Sequence, residues 1–246
     1  MADNSRMPRR ILHTSDLHLE KLNDRAWYSF ESLVNLARQD KMDLIAIAGD
    51  FFDSNRVSDE LVSLVVERLQ SLEAYTVIAP GNHDCLVPGC AFDRAELWEN
   101  CANVRVFRAP NGTTLDLPEI GVSLWGKSMD SYVADVQPLA GMPQPEKNGQ
   151  WNIAIGHGYY VDSEPPLFPS YNITHEEITT SSGWDYIALG HMITFRCVCE
   201  EPMTYYSGSP SLSGTVAIID LDEETGIQVT PHSLPGKYND VPNFKD

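Results

Sequence analysis

Short apolar runs recur along the chain, and a small or polar residue closes each of them. The runs cover residues 11–15, 44–48, 75–79, 152–155 and 186–189. Runs of this length bounded by Gly, Pro, Asn or Asp are typical of β-strands. An Asp, Asn or His follows the end of each run, and in open α/β sheets ligands and catalytic groups lie at these strand ends. The pattern predicts that these polar side chains share one edge of the structure.

Helical periodicity separates the first three predicted strands. After Asp24, a typical helix N-cap residue, apolar side chains recur on one face at Trp27, Phe30, Leu33, Val34 and Ala37. A second amphipathic stretch begins after Ser58. Residues 42–48 are almost continuously apolar, as expected of a strand covered on both faces. This β-α-β-α-β succession predicts parallel strands joined by right-handed crossovers.

The later chain is less regular. We predict short helices over residues 92–98 and 175–180, and strands over 104–107, 113–117, 122–125 and 184–189. Four further strands, expected to be antiparallel, cover 196–200, 203–206, 216–221 and 227–230. The candidate site residues are spread over most of the chain without a linker-like break. We therefore predict a single domain over residues 9–232, with a flexible segment at 1–8 and a tail at 233–246.

Charge and cysteine content restrict the function. The 246-residue chain has a net charge of -18, which disfavours tight, unassisted binding of long nucleic acids. Its five cysteines are odd in number and are expected to be reduced thiols of a cytoplasmic protein. Neither a signal peptide nor a membrane-spanning run is expected.

Oxygen and nitrogen donors follow the apolar runs. The six donors are Asp16, His18, Asp50, Asn82, His157 and His191. Carboxylate, amide and imidazole groups together suit Mn²⁺, Fe or Zn²⁺ better than Ca²⁺ or Mg²⁺. Two cations that share one carboxylate could use all six donors, and Asp50 is the natural bridge. Such a pair clamps a phosphate oxygen and acidifies a bridging water, which then attacks phosphorus.

The same motifs resemble those of the calcineurin-like metallophosphoesterases. They are Asp16-x-His18, Gly49-Asp50, Gly81-Asn82-His83-Asp84, Gly156-His157 and Gly190-His191. The amino-acid sequences of segments 13–19, 49–53 and 206–210 most resemble the DNA-repair exonuclease (SbcD-type) branch of that family. The resemblance implies a four-layer α-β-β-α sandwich of the α/β class.

The resemblance also implies roles for individual residues. Asp16 and His18 would hold one divalent metal, and Asp50 would hold both. Asn82, His157 and His191 would complete the other site. His83 would be the general acid or a phosphate clamp, oriented by Asp84.

One position departs from the family pattern. Where a second His usually follows Gly190-His191, this chain has Ile193, which cannot ligate a metal. The site formed by Asp16 and His18 is therefore expected to be weak, completed by water or empty.

The resulting hypothesis is a metal-dependent phosphoesterase that hydrolyses a phosphomonoester or phosphodiester by attack of a metal-bound hydroxide, with manganese as the expected cofactor. Two alternatives stay open: an SbcD-like DNA nuclease, and a degraded phosphoesterase that acts as a binding scaffold.

Asp53, Asn55 and Arg56 would either contact substrate or water near the metals, or belong to a plain turn. The remaining histidines, His13, His175 and His232, are expected to be structural.

Overall fold

The computed structural model describes residues 6–98, 101–146, 149–162, 170–180 and 183–235. Its strands are β1 Arg9–Thr14, β2 Leu44–Ala48, β3 Tyr75–Ala79, β4 Val104–Val106, β5 Thr113–Leu117, β6 Val122–Gly126, β7 Trp151–His157, β8 Tyr159–Val161, β9 Asn172–Thr174, β10 Tyr186–Gly190, β11 Phe195–Glu200, β12 Met203–Ser207, β13 Thr215–Asp222 and β14 Gly226–Ser233. Its α-helices are α1 Arg25–Gln39, α2 Asp59–Gln70, α3 Ala95–Trp98 and α4 His175–Thr179, and short 3₁₀ turns cover Ala91–Asp93 and Pro118–Ile120.

Both long helices begin where the sequence predicts. The Asp24 side chain accepts a hydrogen bond from the Trp27 amide at 2.8 Å, and the Ser58 hydroxyl accepts one from the Leu61 amide at 3.2 Å. Each cap satisfies an amide that has no partner within the helix.

Two six-stranded sheets form the centre of the protein. The first has the order β14-β13-β1-β2-β3-β4, and the second has the order β11-β12-β10-β7-β6-β5. Strands β1 to β4 are parallel to one another, as predicted for the first three, and so are β6, β7, β10 and β12. Strand pairs β11–β12 and β13–β14 are antiparallel. The small parallel pair β8–β9 was not predicted, because strands of three residues carry too little periodicity to be recognised.

Three apolar layers hold this arrangement together. One lies between the first sheet and the helices α1 and α2, and the second fills the space between the sheets. The third covers the outer face of the second sheet, where α4, β9 and the loop around Leu139 pack. The fold is therefore a mixed α/β domain with four layers, α-β-β-α, which confirms the predicted fold class.

The chain before β1 contacts the domain. The Arg6 guanidinium lies 3.6 Å above the Trp151 ring and forms ion pairs with Asp185 and Glu223 at 2.8 Å each. These contacts join the ends of both sheets opposite the candidate site. All five cysteines are free thiols. Within the described ranges, no helix is long and apolar enough to cross a membrane.

Candidate metal centre

The predicted donors lie where strands of the two sheets end. Asp16, Asp50 and Asn82 follow the neighbouring strands β1, β2 and β3 of the first sheet. His157 closes β7 and His191 follows β10 in the second sheet, where Gly190 is in register with His157. Because these parallel strands run in one direction within each sheet, their carboxyl ends meet at one edge.

The backbone is strained at four of the six predicted ligands. Asp16, His18, Asp50 and His191 have φ values of 53°, 52°, 50° and 95°, in the left-handed region. This region costs a residue with a side chain roughly 1–2 kcal/mol. Residues held in such conformations cluster at functional sites, where the surrounding structure maintains them.

Both ring nitrogens of His157 lie close to polar atoms of neighbouring residues. His157 Nδ1 lies 2.8 Å from the Ala48 carbonyl oxygen, which can only accept, so Nδ1 carries the proton. Its Nε2 lies 3.0 Å from Asn82 Oδ1, 3.2 Å from Asp50 Oδ2 and 3.3 Å from His191 Nδ1. A nitrogen lone pair facing two acceptor oxygens is repulsive unless a positive charge lies among them. This donor set therefore fits a transition-metal cation.

The charges of these groups are strongly coupled. Burial alone disfavours charged His157, but the Asp50 carboxylate beside it raises the pKa of His157 to about 9. Burial works against ionisation of Asp50 too, yet His157 and the His83 amide hold the pKa of Asp50 below its usual range. Burial and the neighbouring His157 lower the pKa of His191 to about 4. A proton on His157 Nε2 thus occupies the position that a bound cation would take, and metal binding would displace this proton.

A second group of donors shares Asp50 with the first. Ligand atoms of Asp16, His18 and Asp50 lie within 4.8 Å of one another, as do those of Asp50, His157 and His191. His18 Nε2 is 3.9 Å from Asp16 Oδ1. The other Asp16 oxygen, Oδ2, accepts a hydrogen bond from the His191 amide at 2.9 Å. All six predicted metal ligands are thus brought together.

Glycine is required at two positions where the two sheets approach each other. A Cβ at Gly49, whose φ is +84°, would overlap the His157 imidazole. A Cβ at Gly190 would overlap the Ala48 carbonyl oxygen. These two glycines let the first sheet reach the second closely enough for Asp50 to contact His157.

His83 lies beside this centre, but Asp84 does not orient it as expected. The His83 Nδ1 donates to the Asp53 carbonyl oxygen at 2.9 Å, which leaves Nε2 available. Asp84 is fully buried, and its carboxylate accepts hydrogen bonds from the amides of Gly81, Phe51 and Phe52 at 2.7, 2.8 and 3.1 Å. Asp84 therefore joins the loops after β2 and β3, and the Asp53 carbonyl fixes the His83 ring.

Asp53 also belongs to a third group of possible ligands, with His18 and His83. Its side chain is 45% exposed, and Oδ1 lies 3.4 Å from His18 Nδ1. The sequence placed Asp53 on the same loop as Asp50, but it could not show that the carboxylate faces His18.

Ile193 lies beside the strand end that carries His191. It is 46% exposed, and its carbonyl oxygen accepts a hydrogen bond from the Ser209 amide at 3.1 Å. Its hydrocarbon side chain offers no ligand atom to the Asp16 and His18 group.

Comparison with known proteins identifies the family of this chain. The family model for the calcineurin-like phosphoesterase matches residues 9–195. The SbcD subunit of nuclease SbcCD from Staphylococcus epidermidis is 27% identical over 215 residues, a match that covers 74% of this chain and 56% of that protein. The uncharacterized metallophosphoesterase YkoQ of Bacillus subtilis is 38% identical over 191 residues, covering 74% of this chain and 59% of the relative. The chain thus spans little more than half the length of these two curated relatives.

A solved structure has the same fold. The crystal structure of TT1561 from Thermus thermophilus aligns with a TM-score of 0.62 at 15% identity, covering 93% of this chain and 100% of that one. The two-sheet fold is shared with this structure, and the family match covers the strand ends that carry the Asp, His and Asn cluster. The chain belongs to the calcineurin-like phosphoesterase family.

Proposed function

We propose that this protein hydrolyses a phosphomonoester or phosphodiester with a pair of divalent cations held at the strand ends. The observation that carries the proposal is the position of Asp50. It is the one residue shared by the group with His157 and His191 and the group with Asp16 and His18. A carboxylate common to two clusters is the arrangement that a cation pair needs.

The residues divide between the two positions. Asn82, His157 and His191 would hold one cation, and Asp16 and His18 would hold the other. When bound, such a pair neutralises charge on a phosphate and lowers the pKa of water enough for it to attack phosphorus. Mixed oxygen and nitrogen donors favour Mn²⁺, with Fe and Zn²⁺ as alternatives. The preference for manganese, the paired centre and the cytoplasmic location stay predictions.

His83 supplies a proton donor or an anion clamp. Its Nδ1–H is held by the Asp53 carbonyl, and its ring packs edge-on against His18 with centroids 4.7 Å apart. The Nε2 atom is then the one that can face a substrate. A protonated Nε2 can pass its proton to the leaving oxygen or hold a phosphate oxygen.

Leaving-group dependence distinguishes these two roles of His83. If the ring protonates the leaving group, His83→Ala should lower kcat about 10²- to 10⁴-fold for an alkyl phosphate ester, whose leaving oxygen needs a proton. Turnover of the matching nitrophenyl ester, whose leaving group is stable as an anion, should fall much less. Equal losses on both esters would mean that His83 positions the phosphate.

Turnover of simple esters tests the proposed activity itself. Chelator-treated protein is assayed on nitrophenyl phosphate and bis-nitrophenyl phosphate, without metal and with Mn²⁺, Zn²⁺ or Mg²⁺ added. We expect hydrolysis of at least one ester that requires a transition metal. Protein that binds two cations yet hydrolyses none of these esters would refute the proposal and indicate a binding scaffold.

A DNA nuclease is the second candidate, favoured by the 27% identity to the SbcD subunit of nuclease SbcCD. The net charge of -18 opposes it, since affinity for DNA comes largely from Lys and Arg that displace counterions. We expect weak binding of duplex DNA at physiological salt. Nanomolar, salt-sensitive binding by this chain would instead support the nuclease.

A further inference from the structure

Asp53 contacts two different histidines through two different groups. Its carbonyl oxygen accepts the Nδ1–H of His83 at 2.9 Å, and its carboxylate Oδ1 lies 3.4 Å from His18 Nδ1. Both histidines are therefore approached at Nδ1. On each ring the remaining nitrogen is Nε2, and on His18 this atom faces Asp16.

The backbone around Asp53 is firmly placed. The Asp53 amide donates to the Leu19 carbonyl at 3.0 Å, and the Leu19 amide donates to the Phe51 carbonyl at 3.0 Å. The His18 amide also donates to the Asp50 carbonyl at 3.1 Å. The loops after β1 and β2 are thus joined by three hydrogen bonds over residues 50–53, which fixes the backbone at Asp53.

The His18 ring, in contrast, lacks one partner. Within the part of the chain that the structure describes, His18 Nδ1 is buried and makes no hydrogen bond. A buried ring nitrogen without a partner costs free energy, so an acceptor is expected nearby. The nearby Asp53 carboxylate oxygen, at 3.4 Å, is slightly beyond hydrogen-bond distance. Because the Asp53 side chain is partly exposed, it has room to rotate towards the His18 ring.

We propose that Asp53 is a positioning residue that fixes the tautomers of His18 and His83 together. Its carboxylate accepts the Nδ1–H of His18, so that Nε2 keeps its lone pair for a cation. Its carbonyl accepts the Nδ1–H of His83, so that Nε2 faces the substrate. A carboxylate on the distal nitrogen of a metal-binding His also makes the ring more basic and strengthens metal binding. The metal-binding part of this inference rests on the proposed function.

Side-chain substitution separates the two contacts, because every variant at position 53 keeps the carbonyl. Titration of metal-free protein with Mn²⁺ by calorimetry should show that Asp53→Ala weakens one of the two sites about 10- to 100-fold, the usual effect of removing such a partner. Asp53→Asn keeps an acceptor oxygen without the charge and should give a smaller loss. The other site should keep its affinity in both variants.

Nitrogen NMR of the histidine rings tests the proposal without any metal. In wild-type protein at pH 8, both His18 and His83 should carry their proton on Nδ1. In Asp53→Ala the His18 signals should shift towards a mixture of tautomers, whereas the His83 signals should stay. Since this readout needs no cation, it distinguishes failure of the positioning role from failure of the proposed metal-dependent activity.

Asp220→Asn is the matched control. Asp220 is 49% exposed, close to the 45% of Asp53, and lies opposite Arg10 at the far end of β1. This variant should keep both Mn²⁺ affinities and both ring tautomers. If Asp53→Ala keeps the wild-type Mn²⁺ affinities and His18 tautomer, Asp53 is a plain turn residue and the proposal is wrong.

Discussion

His13 gives the protein an acid sensitivity that can be calculated. It lies on β1 between the two sheets, is completely buried, and contacts the Tyr186 hydroxyl through Nδ1 at 2.9 Å. Burial lowers the pKa of His13 from 6.5 to about 3, and the Leu189 backbone acts in the opposite direction. The ring is therefore neutral in the folded protein at every pH well above 3.

The sign and size of the effect follow from this shift. A base whose pKa is lower in the folded state takes up its proton on unfolding, so acid favours the unfolded chain. Above pH 6.5 the His13 ring costs the protein no stability. As pH falls from 6.5 towards 3, the free energy of unfolding decreases progressively. At pH 5 nearly every unfolded chain carries the proton and almost no folded one does. The difference in free energy of unfolding between pH 7.5 and pH 5 is then about 2 kcal/mol from this residue.

His13→Asn removes the titrating ring and keeps an amide near the Tyr186 hydroxyl. The variant will be less stable at both pH values because it leaves a small cavity. Its loss of stability between pH 7.5 and pH 5 should nevertheless be about 2 kcal/mol smaller than that of the wild type. Urea unfolding of metal-free protein at the two pH values measures this difference, and contributions from other titrating groups cancel in the comparison.

Tyr186→Phe is the control, since it removes the hydrogen bond and keeps the imidazole. It should show the full acid sensitivity of the wild type. If His13→Asn and the wild type lose the same stability on acidification, then His13 is not held neutral in the folded protein and the reasoning fails.

Two further substitutions test the geometry of the metal centre. Ile193→His should strengthen the weaker Mn²⁺ site and lower the Mn²⁺ concentration needed for activity. Residue 193 is partly exposed, so it can be replaced without opening the core. An unchanged Mn²⁺ titration would mean that another residue already completes this site. Gly49→Ala should weaken Mn²⁺ binding by at least about tenfold, because its Cβ would displace the His157 ring; a variant with wild-type affinity would show that the two sheets can separate without harm.

Periodicity and turn chemistry predicted most of the strands and both long helices, whereas the four-layer arrangement was implied by the family resemblance. The strands that end before Asp50 and Asn82, and the helix capped by Asp24, depend on local patterns that a single sequence carries. His13, which the sequence analysis expects to be structural, is completely buried.

The contacts of the site residues were harder to predict. Asp84 is next to His83 in the sequence, but its carboxylate turns inward because amides more than thirty positions earlier need an acceptor. The contact between Asp53 and His18 likewise depends on how two loops are joined. Such pairings arise from tertiary packing, which residue spacing does not encode.

Metal stoichiometry tests the central claim most directly. Chelator-treated protein is titrated with Mn²⁺ by calorimetry, and the bound metal is counted after gel filtration, for the wild type and for Asp50→Asn. The shared position of Asp50 predicts two cations per chain in the wild type, one tight and one loose, and weakened binding at both sites in the variant. A wild-type chain that binds a single cation, or an Asp50→Asn variant with both affinities unchanged, would contradict the proposed paired centre.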